Sequence, residues 1–202
     1  MIAIIDYGVG NLFSIQNALN HLGISSCITA DAAKIKAATK IILPGVGAYT
    51  DAMRCLEKSG VIPTLTEQVE KGIPLLGICL GMQLLYEKSS EYGETKGLGW
   101  IAGVVVSMHD TFTRDLKIPH MGWNTLLFKK DDPLLANIAL GSDVYFVHSY
   151  YIVSKQAEYL AVSEYEVEIP AIIRQKNIYG MQFHPEKSGE VGLQLLANFA
   201  KI

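Results

Sequence analysis

Cysteine is scarce in this sequence: Cys27, Cys55 and Cys79 are the only three in 202 residues. Their odd number and wide separation exclude a disulfide framework, offer no metal-ligand spacing and fit a reducing compartment. Neither a metal nor a cofactor is expected. No apolar run reaches 18 residues, and no basic stretch leads into a short apolar one at the start. A membrane span and a signal peptide are therefore not expected, and the reading is cytoplasmic. An excess of charge of either sign is missing too. Seventeen Lys and Arg stand against twenty Asp and Glu, for a net charge of −3, which gives no electrostatic footprint for nucleic acid or an anionic membrane. Repeats, low-complexity tracts and linkers are absent. Residues 1–202 are expected to form one domain, long enough to bury about two thirds or more of its unfolded surface.

The residues that are present alternate between two periods. Ile2–Ile5 reads as a short buried strand, and Leu12, Ile15, Ala18, Leu19 and Leu22 recur at helical spacing until Gly23. Ile41–Leu43 is a second buried strand, Leu75–Leu76 a third, with a helical run through Ala52 and Leu56 between them. Strand, helix, strand is the signature of a parallel sheet covered on both faces. From Trp100 onward the pattern changes to strands joined by turns, at Val104–Met108, Val144–His148, Tyr159–Val162, Ala171–Arg174 and Ile178–Phe183. The expected fold is α/β: a single domain with a mostly parallel open sheet, helices on both faces and added antiparallel strands in the same sheet system. A last helix over 189–202 is expected to bury Leu193, Leu196, Ala197 and Ala200.

Sites in open parallel sheets form at the carboxyl ends of strands. The first such loop, Asp6–Asn11, has a G-x-G but carries Phe13 where a dinucleotide fingerprint needs its third glycine. The loop Pro44–Ala48 leaves backbone N–H groups accessible. The stretch Ile73–Gln83 is the most informative, because Gly77 and Gly81 bracket Cys79 between a strand pattern and the helical run Met82–Tyr86. That is the pattern of a nucleophile elbow, with glycines where a Cβ would clash. A sulfur there is expected to be exposed at a helix N-terminus, an environment that favours reactive cysteines. Its alternative is a small apolar residue at a strand end. Beside the elbow, a free N–H of the Pro44–Ala48 loop and that of Leu80 can form an oxyanion hole, each donor contributing about 3 kcal/mol.

His184 and Glu186 flank Pro185, and in extended backbone i and i+2 point the same way. Proline biases His184 toward that conformation. A carboxylate on one imidazole nitrogen turns the other toward the sulfur, so Cys79, His184 and Glu186 form nucleophile, base and orienter of a thiol acyl-transfer enzyme. A lone His-Pro-Glu is otherwise a surface turn. His21, His109 and His120 have no carboxylate fixed nearby in sequence and are read as structural or exposed. Gln83 lies one helical turn beyond Cys79 and can share its pocket.

Gly77-Ile-Cys-Leu-Gly-Met-Gln83 together with Gln182-Phe-His-Pro-Glu186 resembles the class I, triad-type glutamine amidotransferases, and the similarity spans the chain. Ile5–Asn11, Leu43–Ala48, Pro119–Asn124, Tyr145–Tyr150 and His184–Ser188 are similar to those glutaminase subunits that feed a (β/α)8-barrel cyclase in amino-acid biosynthesis. The resemblance implies that Cys79 attacks the side-chain amide of L-glutamine, His184 protonates departing ammonia and water resolves a glutamyl thioester. By position, Gly45, Val46 and Leu80 would form the oxyanion region, and Gln83, Ser149 and Tyr150 would hold glutamine. A heterodimer with the cyclase is implied, and Gly8, Gly10, Asn11, Tyr145 and Lys187 are expected on the docking face. Two alternatives share much of this pattern. One is a paralogue supplying ammonia to another synthase, such as one forming an acetamidino group on a surface sugar. The other is a cysteine peptidase on a similar elbow, which would not need Gln83 or Ser149–Tyr150.

Overall fold

A computed structural model describes residues 1–114 and 116–202. The chain runs β1 (Ile2–Ile5), α1 (Leu12–His21), β2 (Ser26–Thr29), α2 (Ala32–Ala37), β3 (Lys40–Gly45), α3 (Tyr49–Ser59), α4 (Ile62–Glu70), β4 (Leu75–Cys79) and a one-turn α5 (Leu80–Gln83). There follow β5 (Tyr86–Ser89), β6 (Thr95–Lys96), β7 (Ile101–Ser107), α6 (Met108–Thr111), β8 (His120–Thr125), β9 (Leu127–Phe128), β10 (Asp143–His148) and β11 (Tyr150–Val153). The last elements are β12 (Glu158–Tyr165), β13 (Val167–Gln175), β14 (Ile178–Met181) and α7 (Gly189–Lys201).

The main sheet has eight strands in the order β2-β1-β3-β4-β14-β13-β12-β9. The first five pair in parallel and the last three are antiparallel. Every residue of β1 and β4 is buried, as expected for strands covered on both faces. Side chains of β1 alternate between two cores. Ile2 and Ile4 pack with Ile15 and Leu19 of α1 and Leu195, Leu196 and Phe199 of α7. Ala3 and Ile5 pack on the other face with Ile35, Leu56 and Leu65 of α2, α3 and α4.

The added strands depart from the expectation of one sheet system. Four, β9, β12, β13 and β14, extend the main sheet, and β14, expected among the antiparallel strands, lies parallel to β4; β8 and β10 pair as a separate antiparallel ribbon, and β11, β7, β5 and β6 form a third sheet. Two local expectations also fail. The helix after Cys79 ends at Gln83, and Tyr86 opens a strand instead. Leu84, Leu85 and Tyr86 are all fully buried, and an apolar run buried all round carries no period to separate helix from strand. Helix α7 turns Gly192, Leu195, Leu196 and Phe199 inward, so the buried face is rotated from the one expected. Leu193 and Ala200 pack only at its edge.

Candidate active site

The site is assembled at the carboxyl ends of β3, β4 and β14, three adjacent strands. Their register aligns Gly45 with Cys79 and Met181 with Ile78, so the segments that follow emerge side by side.

Cys79 takes φ 54° and ψ −113°, a region in which side chains other than glycine are strained. Close packing holds the turn there. A Cβ at Gly77 would lie 2.6 Å from Cα of Met82, and one at Gly45 would lie 2.5 Å from the Gly81 nitrogen. One at Gly81 would run into the carbonyl of Leu43. Contrary to expectation, the sulfur is not exposed: Cys79 is 6% accessible and opens only into a cavity of about 580 Å³. With α5 a single turn, helix length adds little at this position, and the nearby ionisable imidazole matters more.

That imidazole belongs to His184. Its Nδ1 donates to Oε1 of Glu186 at 2.9 Å, and the side chains are 3% and 0% exposed. Burial alone would lower the imidazole pKa, but hydrogen bonds to Cys79 and Glu186 outweigh it and raise it to about 10. The backbone is pinned as firmly. The N–H of His184 donates to the Tyr145 carbonyl at 3.0 Å. The Ser188 hydroxyl donates to the His184 carbonyl at 2.7 Å and accepts from the Tyr145 N–H at 3.0 Å.

Asn11, expected on a docking face, turns inward and donates from Nδ2 to Oε1 of Glu186 at 3.2 Å. Among the described residues Oε2 of Glu186 has no partner. Gly8 and Lys187 are exposed. Gly10 instead packs against the loop after β3, where an added Cβ would lie 3.1 Å from Cγ of Pro44. Tyr145 is half-buried and meets Trp123 edge-on at 6.1 Å. Asn11, Tyr145 and Lys187 thus adjoin the His184–Glu186 pair, and Gly10 adjoins the loop after β3. Beside them Met121 and Trp123 are 65% and 59% exposed, two apolar surface residues of the β8–β10 ribbon that sequence periodicity did not single out.

Val46, Leu80, Gln83, Ser149 and Tyr150 line the cavity with Cys79 and His184. Gly45 abuts Leu80 and Gly81, and the Tyr7 hydroxyl steadies the neighbouring turn by donating to the Pro44 carbonyl at 2.7 Å. The Nε2 of Gln83 is committed within the protein, to the Tyr150 carbonyl and to Oε1 of Gln182, both at 3.0 Å. Its oxygen is the end left to meet a ligand.

Three contributors were missed. Glu91 lines the cavity and accepts the Tyr49 N–H at 2.6 Å, and burial raises its pKa. His109, exposed as one of its two expected readings allowed, and Pro119 line the cavity too. Glu91 and His109 carry no sequence signal, since they reach the cavity from a loop and a short helix, whereas Pro119 opens a stretch that the resemblance marks. Among the described residues no group of three or more His, Cys, Asp or Glu is arranged to hold a metal, and no helix is long and apolar enough to cross a membrane.

Comparison with known proteins agrees with this geometry. The family described as "Glutamine amidotransferase class-I" matches residues 3–202. "Imidazole glycerol phosphate synthase subunit HisH" of Caldanaerobacter subterraneus subsp. tengcongensis is 52% identical over 203 residues, covering 100% of this chain and 98% of the relative. The protein of the same description from Geobacillus sp. strain WCH70 is 50% identical, covering 100% and 97%. Among solved structures, a "glutamine amidotransferase" superposes with TM-score 0.75 at 20% identity over 100% of both chains. PurLQS from Thermotoga maritima gives TM-score 0.75 at 19% identity over 99% and 97%. A parallel sheet with a glycine-bracketed cysteine at the end of one strand and a His-Glu pair at the end of its neighbour, matched from end to end by one family, makes this chain a member of the class-I glutamine amidotransferases.

Proposed function

We propose that the chain is the glutaminase subunit of imidazole glycerol phosphate synthase. It hydrolyses L-glutamine to glutamate and ammonia, and the ammonia is used by a cyclase subunit to make imidazole glycerol phosphate and AICAR in histidine biosynthesis. The full-length similarity to synthase subunits at about half identity supports this assignment. The observation that carries the chemistry is the convergence of Cys79 and His184 at the mouths of adjacent strands, with Glu186 behind the imidazole.

The Cys79 sulfur attacks the side-chain carbonyl carbon of glutamine, and the thiol proton resides on His184. Charge on the tetrahedral oxygen falls to backbone N–H groups of the Gly45–Val46 turn and of Leu80. His184 passes its proton to the amide nitrogen, the C–N bond breaks, and ammonia leaves behind a γ-glutamyl thioester. Water then gives a proton to His184 and its oxygen to the carbonyl carbon, and the thiol leaves as glutamate forms. Glu186 and Asn11 hold the imidazole throughout. The oxygen of Gln83 and the Ser149–Tyr150 segment at the junction of β10 and β11 position the substrate. Glu91, the one carboxylate on the cavity wall among the described residues, is suited to its α-ammonium group.

Ammonia released into water at neutral pH is largely ammonium, which has no lone pair with which to attack. A partner that takes it directly solves this, and we assign that role to a (β/α)8-barrel cyclase docked on the face carrying Gly8, Tyr145, Lys187, Met121 and Trp123. Incubation with labelled glutamine tests the reading. Glutamate release is expected from the parent and not from Cys79→Ala, while the variant still assembles and supports synthesis with ammonium salt. Release at the parent rate by that variant would make Cys79 structural and end the proposal. Cleavage of peptides in preference to glutamine would favour the peptidase alternative.

A further inference from the structure

One buried side chain near the reacting sulfur has no role in the scheme above. Gln182 is fully buried, its N–H bonded to the Ala171 carbonyl at 2.9 Å, and its Nε2 approaches Sγ of Cys79 at 3.8 Å. A carboxamide can present either end to a neighbour, and which end faces the sulfur follows from hydrogen-bond logic.

The starting point is the main-chain carbonyl of Tyr150, which can only accept. It receives Nε2 of Gln83 at 3.0 Å, so Gln83 shows its NH2 end inward. That same nitrogen lies 3.0 Å from Oε1 of Gln182, so Gln182 must answer with its oxygen. Its NH2 is then left facing the sulfur. Turning Gln182 over would set two NH2 groups against each other and a carbonyl oxygen against the sulfur.

The other side of the Tyr150 carbonyl is ordered in the same way. It also lies 2.9 Å from Nδ1 of His148, which must carry the hydrogen. The lone pair of His148 is then on Nε2, 3.0 Å from Nδ1 of His120, which must be a donor in turn. Nε2 of His120 accepts from Nδ2 of Asn124 at 3.1 Å. Both rings are buried, and burial lowers their pKa values to about 4 for His120 and about 3 for His148, so both stay in this neutral pattern. A rigid chain of groups, all with defined direction, thus holds the Tyr150 carbonyl and through it the two carboxamides.

We propose that Gln182 is a positioning residue for the nucleophile, clamped by Gln83 and the Tyr150 carbonyl so that an N–H always faces the Cys79 sulfur. The donor fixes the side-chain rotation of Cys79 between His184 and the cavity, and it offers a partner to the sulfur whenever the sulfur is charged. It acts on the bond-forming step and not on glutamine affinity. The inference rests on the glutaminase reading of the site.

Two variants in the assembled synthase test it. Gln182→Met keeps length and burial without a donor, and Gln182→Glu keeps shape while replacing the NH2 with an acceptor. Both are expected to lower kcat for glutamine hydrolysis by about tenfold with KM within about twofold of the parent. Parent kcat in Gln182→Met would overturn the inference. So would a fall in kcat accompanied by a matching rise in KM and a lower melting temperature, which marks a packing role. If Cys79→Ala hydrolyses glutamine at the parent rate, the glutaminase reading fails instead, so the two failures are separable.

Discussion

Glu186 is the residue on which the imidazole depends, and its burial makes its contribution measurable. The pKa of His184 rises from 6.5 to about 10, against the effect of burial, through hydrogen bonds to Cys79 and Glu186. A group whose folded pKa is raised contributes stability that is complete below the unfolded value and is lost as pH rises through the folded one. The stability deficit of Glu186→Gln is therefore expected to be about 2 kcal/mol at pH 6 and to shrink as pH climbs toward about 10. Urea denaturation at a series of pH values reads this, and a deficit that grows with pH would contradict it. Activity should fall by about a hundredfold, because the amide holds the imidazole less well in its working orientation. At this scale the sequence was informative where chemistry is local. His184 and Glu186 declare each other across one proline, whereas the bond from Asn11 to Glu186 joins residues 175 apart in sequence and leaves no local trace.

The elbow between β4 and α5 shows why some elements were legible and others not. Gly77 and Gly81 mark it because backbone comes too close for any Cβ, which is a constraint visible in residue identity. Gly81→Ala would drive a methyl group into the Leu43 carbonyl, and overpacking of this kind costs about 3 kcal/mol. A denaturant midpoint within error of the parent would show that the elbow yields. Where burial is complete the signal disappears, as in Leu84–Tyr86, which continues as turn and strand after a helix of one turn. Other strands escaped for different reasons: β6 and β9 are two residues each, too few to show a period, and the six-residue β8 turns its apolar Met121 and Trp123 outward around Gly122.

Across the whole molecule, periodicity located β1, β3 and β4 of the parallel half, but not β2, nor the parallel placing of β14, nor the division of the second half into three sheets. Strand pairing between distant segments is decided by packing that no single window of sequence contains. The cavity illustrates the same limit: its floor comes from recognisable motifs, and its Glu91 and His109 walls come from elsewhere. Val46 lines the cavity with the reacting groups and is 40% exposed, so a partner docked on that side would press on the oxyanion turn directly. Glutamine hydrolysis by the purified chain is expected to be slow and to accelerate by more than about tenfold when the cyclase and its ligand are added. Steady-state glutamate release measures this, and full activity of the chain alone would contradict it.

The three strands that deliver the oxyanion turn, the thiol and the imidazole stand shoulder to shoulder as β3, β4 and β14, yet everything from β5 to β13 is threaded between the last two of them in the chain. That long excursion returns to the trio on its way: its Tyr145 carbonyl takes the His184 N–H, its Tyr150 carbonyl takes Gln83, and β13 flanks β14. Anything that leans on that middle stretch from outside is therefore within mechanical reach of the imidazole.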